Sequence, residues 1–142
     1  MMLTKVKLND IKAYKFLFTL RNKDYVKKHS LNKKSIKFST HKDWLKYFLK
    51  KKNIIYIISE KKKMVGYIRM EKKNNFFYVS WAILKKYQKM GFAKKSLILA
   101  TKNKNYRYKA LIKKNNISSI MIAEKANFKQ KFAKQNILYF YK

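Results

Sequence analysis

The sequence predicts an α+β fold in which a mixed, mostly antiparallel central sheet is flanked by helices. Three β-rich segments follow one another, Ile54 to Ser59, Met64 to Glu71 and Phe76 to Leu84. Only short polar turns at Lys61-Lys62-Lys63 and Lys73-Asn74-Asn75 join them, which marks an antiparallel meander. Amphipathic helical patterns precede the meander. After it, helix, strand and helix alternate before a closing pair of strands, so the order is β-α-α-β-β-β-α-β-α-β-β.

Met2 to Leu8 alternates weakly and reads as the first strand. Asn9 or Asp10 then caps a helix that carries Ile11, Tyr14, Leu17 and Phe18 on one face and ends near Arg21-Asn22. A short helical stretch around Asp24 to Ser30 has a poor pattern. Thr40-His41-Lys42-Asp43 resembles a capping box with Asp in place of Glu, and Trp44, Leu45, Phe48 and Leu49 recur at helical spacing, which predicts a helix over 41–51. Beyond the meander, Ala93 to Lys102 is helical and Tyr106 to Ile112 is a strand. Ile117 to Ala126 is a helix capped by Asn116, and Phe128 to Phe132 and Ile137 to Tyr141 are the closing strands. No linker, repeat or low-complexity break interrupts this order, so residues 1–142 read as a single domain.

Composition removes several function classes. With 142 residues, 47% of them hydrophobic and 16% aromatic, the chain can bury a core and is no disordered basic tail. The absence of cysteine excludes disulfides, Cys-based zinc sites and a thiol nucleophile. Its only histidines, His29 and His41, lie far apart and its six acids are scattered, so no metal centre is expected. Its two glycines, Gly66 and Gly91, are too far apart for a Walker-type loop or a Rossmann fingerprint. The longest apolar run, Ile54 to Ile58, falls far short of the ~20 residues that span a bilayer, and the N-terminus lacks a signal-peptide core. A soluble cytoplasmic protein without a membrane partner is expected.

The formal net charge of +32, from 38 Lys+Arg against 6 Asp+Glu, invites a nucleic-acid reading. Only Arg21, Arg69 and Arg107 are arginines, which leaves 35 lysines, yet Arg is the residue favoured for bidentate contacts to phosphate and guanine. Lys, Asn, Ile, Tyr and Phe, with A/T-rich codons, are abundant, and the lysines spread along the whole chain. A solvated surface written by codon supply explains them better than a dedicated nucleic-acid face.

The informative stretch is Val79 to Ala93, a strand, a short basic loop, one glycine and then a helix. Such a turn leaves several backbone N–H groups unpaired at a helix N-terminus, where they and the helix dipole favour an anion such as a diphosphate. Gly91 removes a Cβ that would obstruct close approach, and Ala93 keeps the next contact small. Alone, an ordinary strand-to-helix connection would give the same pattern.

Gln88-Lys89-Met90-Gly91-Phe92-Ala93 resembles the Arg/Gln-x-x-Gly-x-Gly/Ala loop of the GNAT superfamily of acetyl-CoA-dependent N-acetyltransferases. Further on, Asn116-Ile117-Ser118-Ser119 and Glu124-Lys125-Ala126-Asn127-Phe128 are similar to that superfamily's Asn-x-x-Ser helix and its closing Glu-Lys-x-Gly-Phe turn. The element order is also that of the family. The resemblance implies acetyl-CoA as co-substrate, its pyrophosphate held by the backbone N–H groups of Gln88, Lys89, Met90, Gly91, Phe92 and Ala93. It also implies that Ala82 and Ile83 pair with the pantetheine amides, that Lys109 to Lys113 splays away, and that Asn116 and Ser119 touch the pantetheine or cysteamine end. Two positions depart from the pattern. Asn127 replaces the usual Gly at the helix end, a mild change, and Ala123 replaces a tyrosine that in many members protonates the leaving thiolate.

The implied reaction is direct attack of a neutral amine on the thioester carbonyl, with a backbone N–H of the central strand stabilising the oxyanion. An alkyl ammonium with a pKa of about 10.4 must first lose a proton, whereas a thiol with a pKa of about 8.5 leaves readily as thiolate. The central strand has no carboxylate, so Tyr78 and Ser80 could only order a water. His41 is the titratable group near neutrality that could reach the acceptor, although its plainer reading is a surface residue in the first turn of a helix. Arg21-Asn22 with His41-Lys42-Asp43-Trp44 is similar to a His-x-x-Trp pattern of members that acetylate amino sugars on nucleotide carriers. The expected acceptor is a small-molecule primary amine such as a nucleotide-linked amino sugar. Two alternatives stay open: a protein N-terminus or lysine, or a non-enzymatic basic nucleic-acid-binding domain that stacks bases on its 11 Tyr and 10 Phe. Monomer and homodimer are equally open.

Overall fold

The computed structural model describes all residues, 1–142. The chain runs β1 (Met2–Lys5), α1 (Ile11–Arg21), α2 (Asp24–Lys27), α3 (Phe38–Leu49), β2 (Ile54–Glu60), β3 (Lys63–Lys73) and β4 (Phe76–Ile83). It continues through α4 (Phe92–Ala100), β5 (Arg107–Lys113), α5 (Ile117–Lys125), β6 (Lys129–Lys134) and β7 (Ile137–Tyr141). The strands form one mixed sheet in the order β1-β2-β3-β4-β5-β7-β6, antiparallel throughout except for β4 and β5. The predicted class is the one observed, and the element order differs only by the one-turn helix α2, where the poor pattern around Asp24 to Ser30 gives no separate element.

Two apolar layers cover the sheet. One packs α4 and α5 on one face around Ile68, Val79, Leu97, Ala123 and Phe128, and the other packs α1 and α3 on the opposite face around Tyr14, Leu17, Leu45, Phe48, Ile55 and Ile57. The β2–β3 and β3–β4 turns place two consecutive residues at positive φ, Lys61 and Lys62 in one and Asn74 and Asn75 in the other, the conformation that fits a tight hairpin to strand twist. No helix is long and apolar enough to cross a membrane.

The caps explain several boundaries. Asp10 Oδ1 accepts from the Ala13 N–H at 3.0 Å and starts α1, whose buried stripe is Ala13, Tyr14, Leu17 and Leu20, while Ile11 is exposed. Asn116 Oδ1 likewise accepts from the Ser119 N–H at 3.2 Å. Asn127 closes α5 at φ +68°, with its N–H bonded to Glu124 O and the Phe128 N–H bonded to Ala123 O, a paired closure that turns Phe128 into the core.

The expected capping box at Thr40 is not formed. Helix α3 begins at Phe38 behind Lys37, which offers no side-chain cap, and Thr40 is already inside the helix. Packing decides the start here: the Phe38 ring meets Phe18 edge-on at 5.4 Å and joins the α1–α3 layer. The first strand is also shorter than expected, because after Lys5 only the Val6 N–H still reaches the sheet, at Ile55 O.

Candidate active site

Strands β4 and β5 pair only at Phe76, Phe77 and Tyr78 against Arg107, Tyr108 and Lys109, and beyond that register they part. The remainder of β4 therefore has a free edge. The Leu84 N–H bonds to Val65 O, so by antiparallel alternation Ala82 and Ser80 exchange bonds with Tyr67 and Arg69 on β3. The peptide group of Trp81 and the N–H of Ile83 then face the opening, while the Ile83 carbonyl accepts from the Gln88 side chain. Ala82 was expected to share that role, but its carbonyl is turned towards Gly66 on β3. Trp81 adds an indole Nε1 that is buried without a partner.

The loop after β4 makes one 3₁₀ turn, Lys85–Tyr87, and enters α4 through two left-handed residues, Lys89 at φ +63° and Gly91 at φ +85°. The N–H groups of Lys89, Met90, Gly91, Phe92, Ala93 and Lys94 have no acceptor within the protein; the first bond of the helix turn is Lys95 N–H to Gly91 O. Consecutive free N–H groups at a helix start form a concave donor set for an anion. This set is shifted by one residue from expectation. The Gln88 N–H bonds to Lys85 O, and the Gln88 side chain turns inward, its Nε2 donating to Ile83 O at 3.1 Å. Gln88 thus fixes the strand end against the loop. Gly91 is needed for its backbone angle, since an added Cβ would meet nothing nearer than Lys95 Cε at 3.9 Å.

Helix α2 lies across the mouth of the opening. Tyr25 Oη accepts from the Lys85 N–H at 3.1 Å on the loop side, and Lys113 Nζ reaches Lys28 O at 3.2 Å from the end of β5. His29 follows α2, and burial, then Lys28 and Lys113, push its imidazole below the usual range. Sequence reasoning missed Tyr25, Lys113 and His29 at this mouth; nothing local to those residues marks them.

The expected catalytic side chains are separated. Tyr78 sits where β4 and β5 are still paired, and its Oη accepts from Lys109 Nζ at 3.3 Å. That ammonium lies 4.5 to 5.1 Å from the ring centres of Phe76, Tyr141 and Tyr78. Burial draws it down, but the bonds to Tyr141 and Tyr78 outweigh this and leave it above its ordinary value. Ser80 lies further along β4, where it pairs across the strands with Arg69 on β3.

His41 corrects its plainer reading, because it is no surface residue: only 6% exposed, it stacks on Trp44 and lines a cavity of about 270 Å³ with Arg21, Tyr67 and Arg69. Burial, then Arg21 and Arg69, lower its pKa to about 4, so it is not tuned near neutrality and is neutral at pH 7. In the unfolded chain the same imidazole titrates at the ordinary value. The neutral imidazole is therefore expected to leave stability intact above about pH 6.5 and to cost the fold up to about 3 kcal/mol as the pH falls to 4. Urea unfolding at pH 7 and pH 4 should show this loss and should show it much reduced in His41→Phe.

Asn116 and Ser119 stand together at the start of α5, and the capping bond occupies Asn116 Oδ1 while leaving its amide N–H groups free. Ala123 is fully buried and supplies no acid. No three His, Cys, Asp or Glu side chains are grouped to hold a metal ion.

A mixed sheet split between two parallel strands, with a donor-lined loop at the split, forms a cleft shaped for a phosphate-bearing ligand with an extended arm. A family model for the acetyltransferase (GNAT) domain matches residues 1–129, and the chain belongs to that family of acetyltransferases. No curated protein matches it by sequence. Among solved structures it is similar to a domain from Methanocaldococcus jannaschii (20% identity, TM-score 0.80, 99% of this chain and 97% of that one). It is similar to the spermidine N-acetyltransferase of Vibrio cholerae in complex with CoA and spermine (14% identity, TM-score 0.80, 98% and 94%). It also resembles a ribosomal-protein-alanine N-acetyltransferase from Brucella melitensis (14% identity, TM-score 0.78, 100% and 99%). At these identities the likeness is one of fold.

Proposed function

We propose that residues 1–142 act as one N-acetyltransferase domain that moves the acetyl group of acetyl-CoA to the primary amine of a small molecule, such as an amino sugar on a nucleotide carrier. The observation that carries this reading is the run of unbonded N–H groups from Lys89 to Lys94 beside the open edge of β4. A pyrophosphate uses such a donor set, and the amides of a pantetheine arm add to an open strand edge. Lys89, Met90, Gly91, Phe92 and Ala93 hold the pyrophosphate, Trp81 and Ile83 pair with the arm, and Asn116 and Ser119 border its far side. The exposed lysines around the loop, Lys85, Lys86, Lys89, Lys94 and Lys95, draw the anionic cofactor in.

The cofactor supplies an acetyl group already activated as a thioester. The protein positions the amine, donates a backbone N–H of β4 to the developing oxyanion, and lets the ammonium proton leave. His41, at a pKa of about 4, is far too weak a base to take that proton from a group of about 10.4. Water ordered by Ser80 carries it instead, with Tyr78 held aside by Lys109. A thiol of pKa about 8.5 departs without an acid at position 123. We place the enzyme in the cytoplasm, as monomer or homodimer, with no dedicated nucleic-acid partner.

Calorimetric titration with acetyl-CoA tests the donor site, and saturable binding at or below millimolar cofactor is expected. No binding in that range overturns the reading. Thiol release across amino-sugar nucleotides and N-terminal peptides tests the acceptor, and turnover of peptides alone replaces the small-molecule class with a protein substrate.

A further inference from the structure

The chain has only three arginines, and two of them, Arg21 and Arg69, line the same cavity of about 270 Å³ between α1, α3 and β3. No acidic side chain lines it, and neither arginine takes part in any of the ion pairs of the molecule. Arg21 Nη2 donates to Asn32 O at 2.7 Å, but its Nη1 is buried with no partner. Arg69 stands 5.5 Å from the Trp44 ring. His41 Nδ1, on the same wall, is also buried without a partner. Tyr67 and Thr40 bring two further hydroxyls to the lining.

Buried donors without acceptors are costly, and two guanidiniums that share a cavity without a counterion also repel each other. An oxyanion removes both penalties at once. The guanidinium fork matches a carboxylate or phosphate in two-point contact, which a lysine ammonium does not. In a protein that uses lysine at almost every basic position, arginine here marks a demand for that geometry.

We propose that this cavity binds an oxyanion, a carboxylate or a phosphate, carried by the acceptor amine, and so selects anionic amines over polycations. The inference rests on the acetyl-transfer reading and adds the charge of its acceptor. Tyr67 and Arg69 lie in register with Ala82 and Ser80 of β4. The cavity therefore lies on the strand next to β4, on the side covered by α1 and α3, and the amine and the anion of one small molecule span from the β4 edge to it. A polycation, such as the spermine in the Vibrio cholerae complex, would meet the like charge of two arginines here.

With only three arginines, their Nε–Hε NMR signals form a resolved set of three, which allows a direct test on the whole protein at constant ionic strength. Inorganic phosphate, and acetate in a separate titration, should shift Arg21 and Arg69 saturably and leave the exposed Arg107 in place. The anion that saturates at the lower concentration names the acceptor's group. Parallel drift of all three signals, or saturation with neither anion, overturns the proposal. Arg69→Gln should abolish the saturable Arg21 response while calorimetric acetyl-CoA binding persists, which shows that the variant is folded; an unchanged Arg21 response overturns the proposal.

In turnover, glucosamine 6-phosphate should exceed glucosamine at least tenfold in kcat/KM, and the ratio should collapse in Arg69→Gln. A preference for spermidine over both sinks the proposal. Acetyl transfer without the arginine shifts removes the anion site and leaves the transferase reading intact. Arginine shifts with no acetyl-CoA binding remove the transferase reading and leave the anion site.

Discussion

Replacing Gly66 by alanine or valine is expected to cost the fold about 3 kcal/mol or more and to lower Tm by roughly 10 °C. Gly66 is buried on β3 opposite Ile83, and a Cβ built there collides with the Ala82 carbonyl oxygen and lies 2.6 Å from Ile83 Cδ1. The first obstacle is backbone, so no side-chain rotation relieves it. To admit the new atom, β4 must move away from β3, and that strand carries the edge proposed for the cofactor arm. Thermal unfolding followed by circular dichroism measures the loss. An unchanged Tm for Gly66→Ala would show that β3 and β4 separate more easily than their register implies.

Gly91→Val should act on binding more than on folding. The residue has open space around it but sits at φ +85°, a left-handed angle that costs an L-residue roughly 1–2 kcal/mol, and more when the side chain is β-branched. Relaxing to negative φ would turn the Met90, Gly91 and Phe92 N–H groups out of their common direction. The dissociation constant for acetyl-CoA is expected to rise at least tenfold by calorimetry, with the far-ultraviolet spectrum preserved. Gly91→Asn should recover most of the affinity, because asparagine tolerates this region, as Asn127 does at φ +68°. Equal affinity in Gly91→Val would remove the loop from the cofactor site.

The difference between these two glycines was only half legible in the sequence. The loop of Gly91 could be read because its parts are contiguous: strand, polar turn, glycine and helix occupy one stretch, and the donor set lies within one residue of the expected one. Gly66 carried no local signal, since its requirement comes from a neighbouring strand. The same reasoning separates the two helix starts. Asp10 and Asn116 cap as local chemistry predicts, whereas Phe38 starts α3 early because its ring has a place against Phe18. The arginine cavity was the least legible feature. Arg21 and His41 belong to a stretch similar to an amino-sugar pattern, but only the fold brings them to Tyr67 and Arg69, and only burial makes His41 a neutral imidazole instead of a near-neutral base.

The outer strand β6 bears on how copies of this protein meet. All six of its residues are exposed, it is held by β7 alone, and Phe132 stacks on Tyr139 at 4.3 Å to brace it. Such an edge is an open template for a further strand from another molecule. Here it carries Lys129, Lys131 and Lys134, and its register with β7 slips between Gln130 and Phe132. A second chain laid along it would bring like charges together across a ladder already out of step, two features that oppose edge-to-edge stacking and fibril growth. The lysine excess that says little about partners thus acts on this one strand as a barrier to self-assembly.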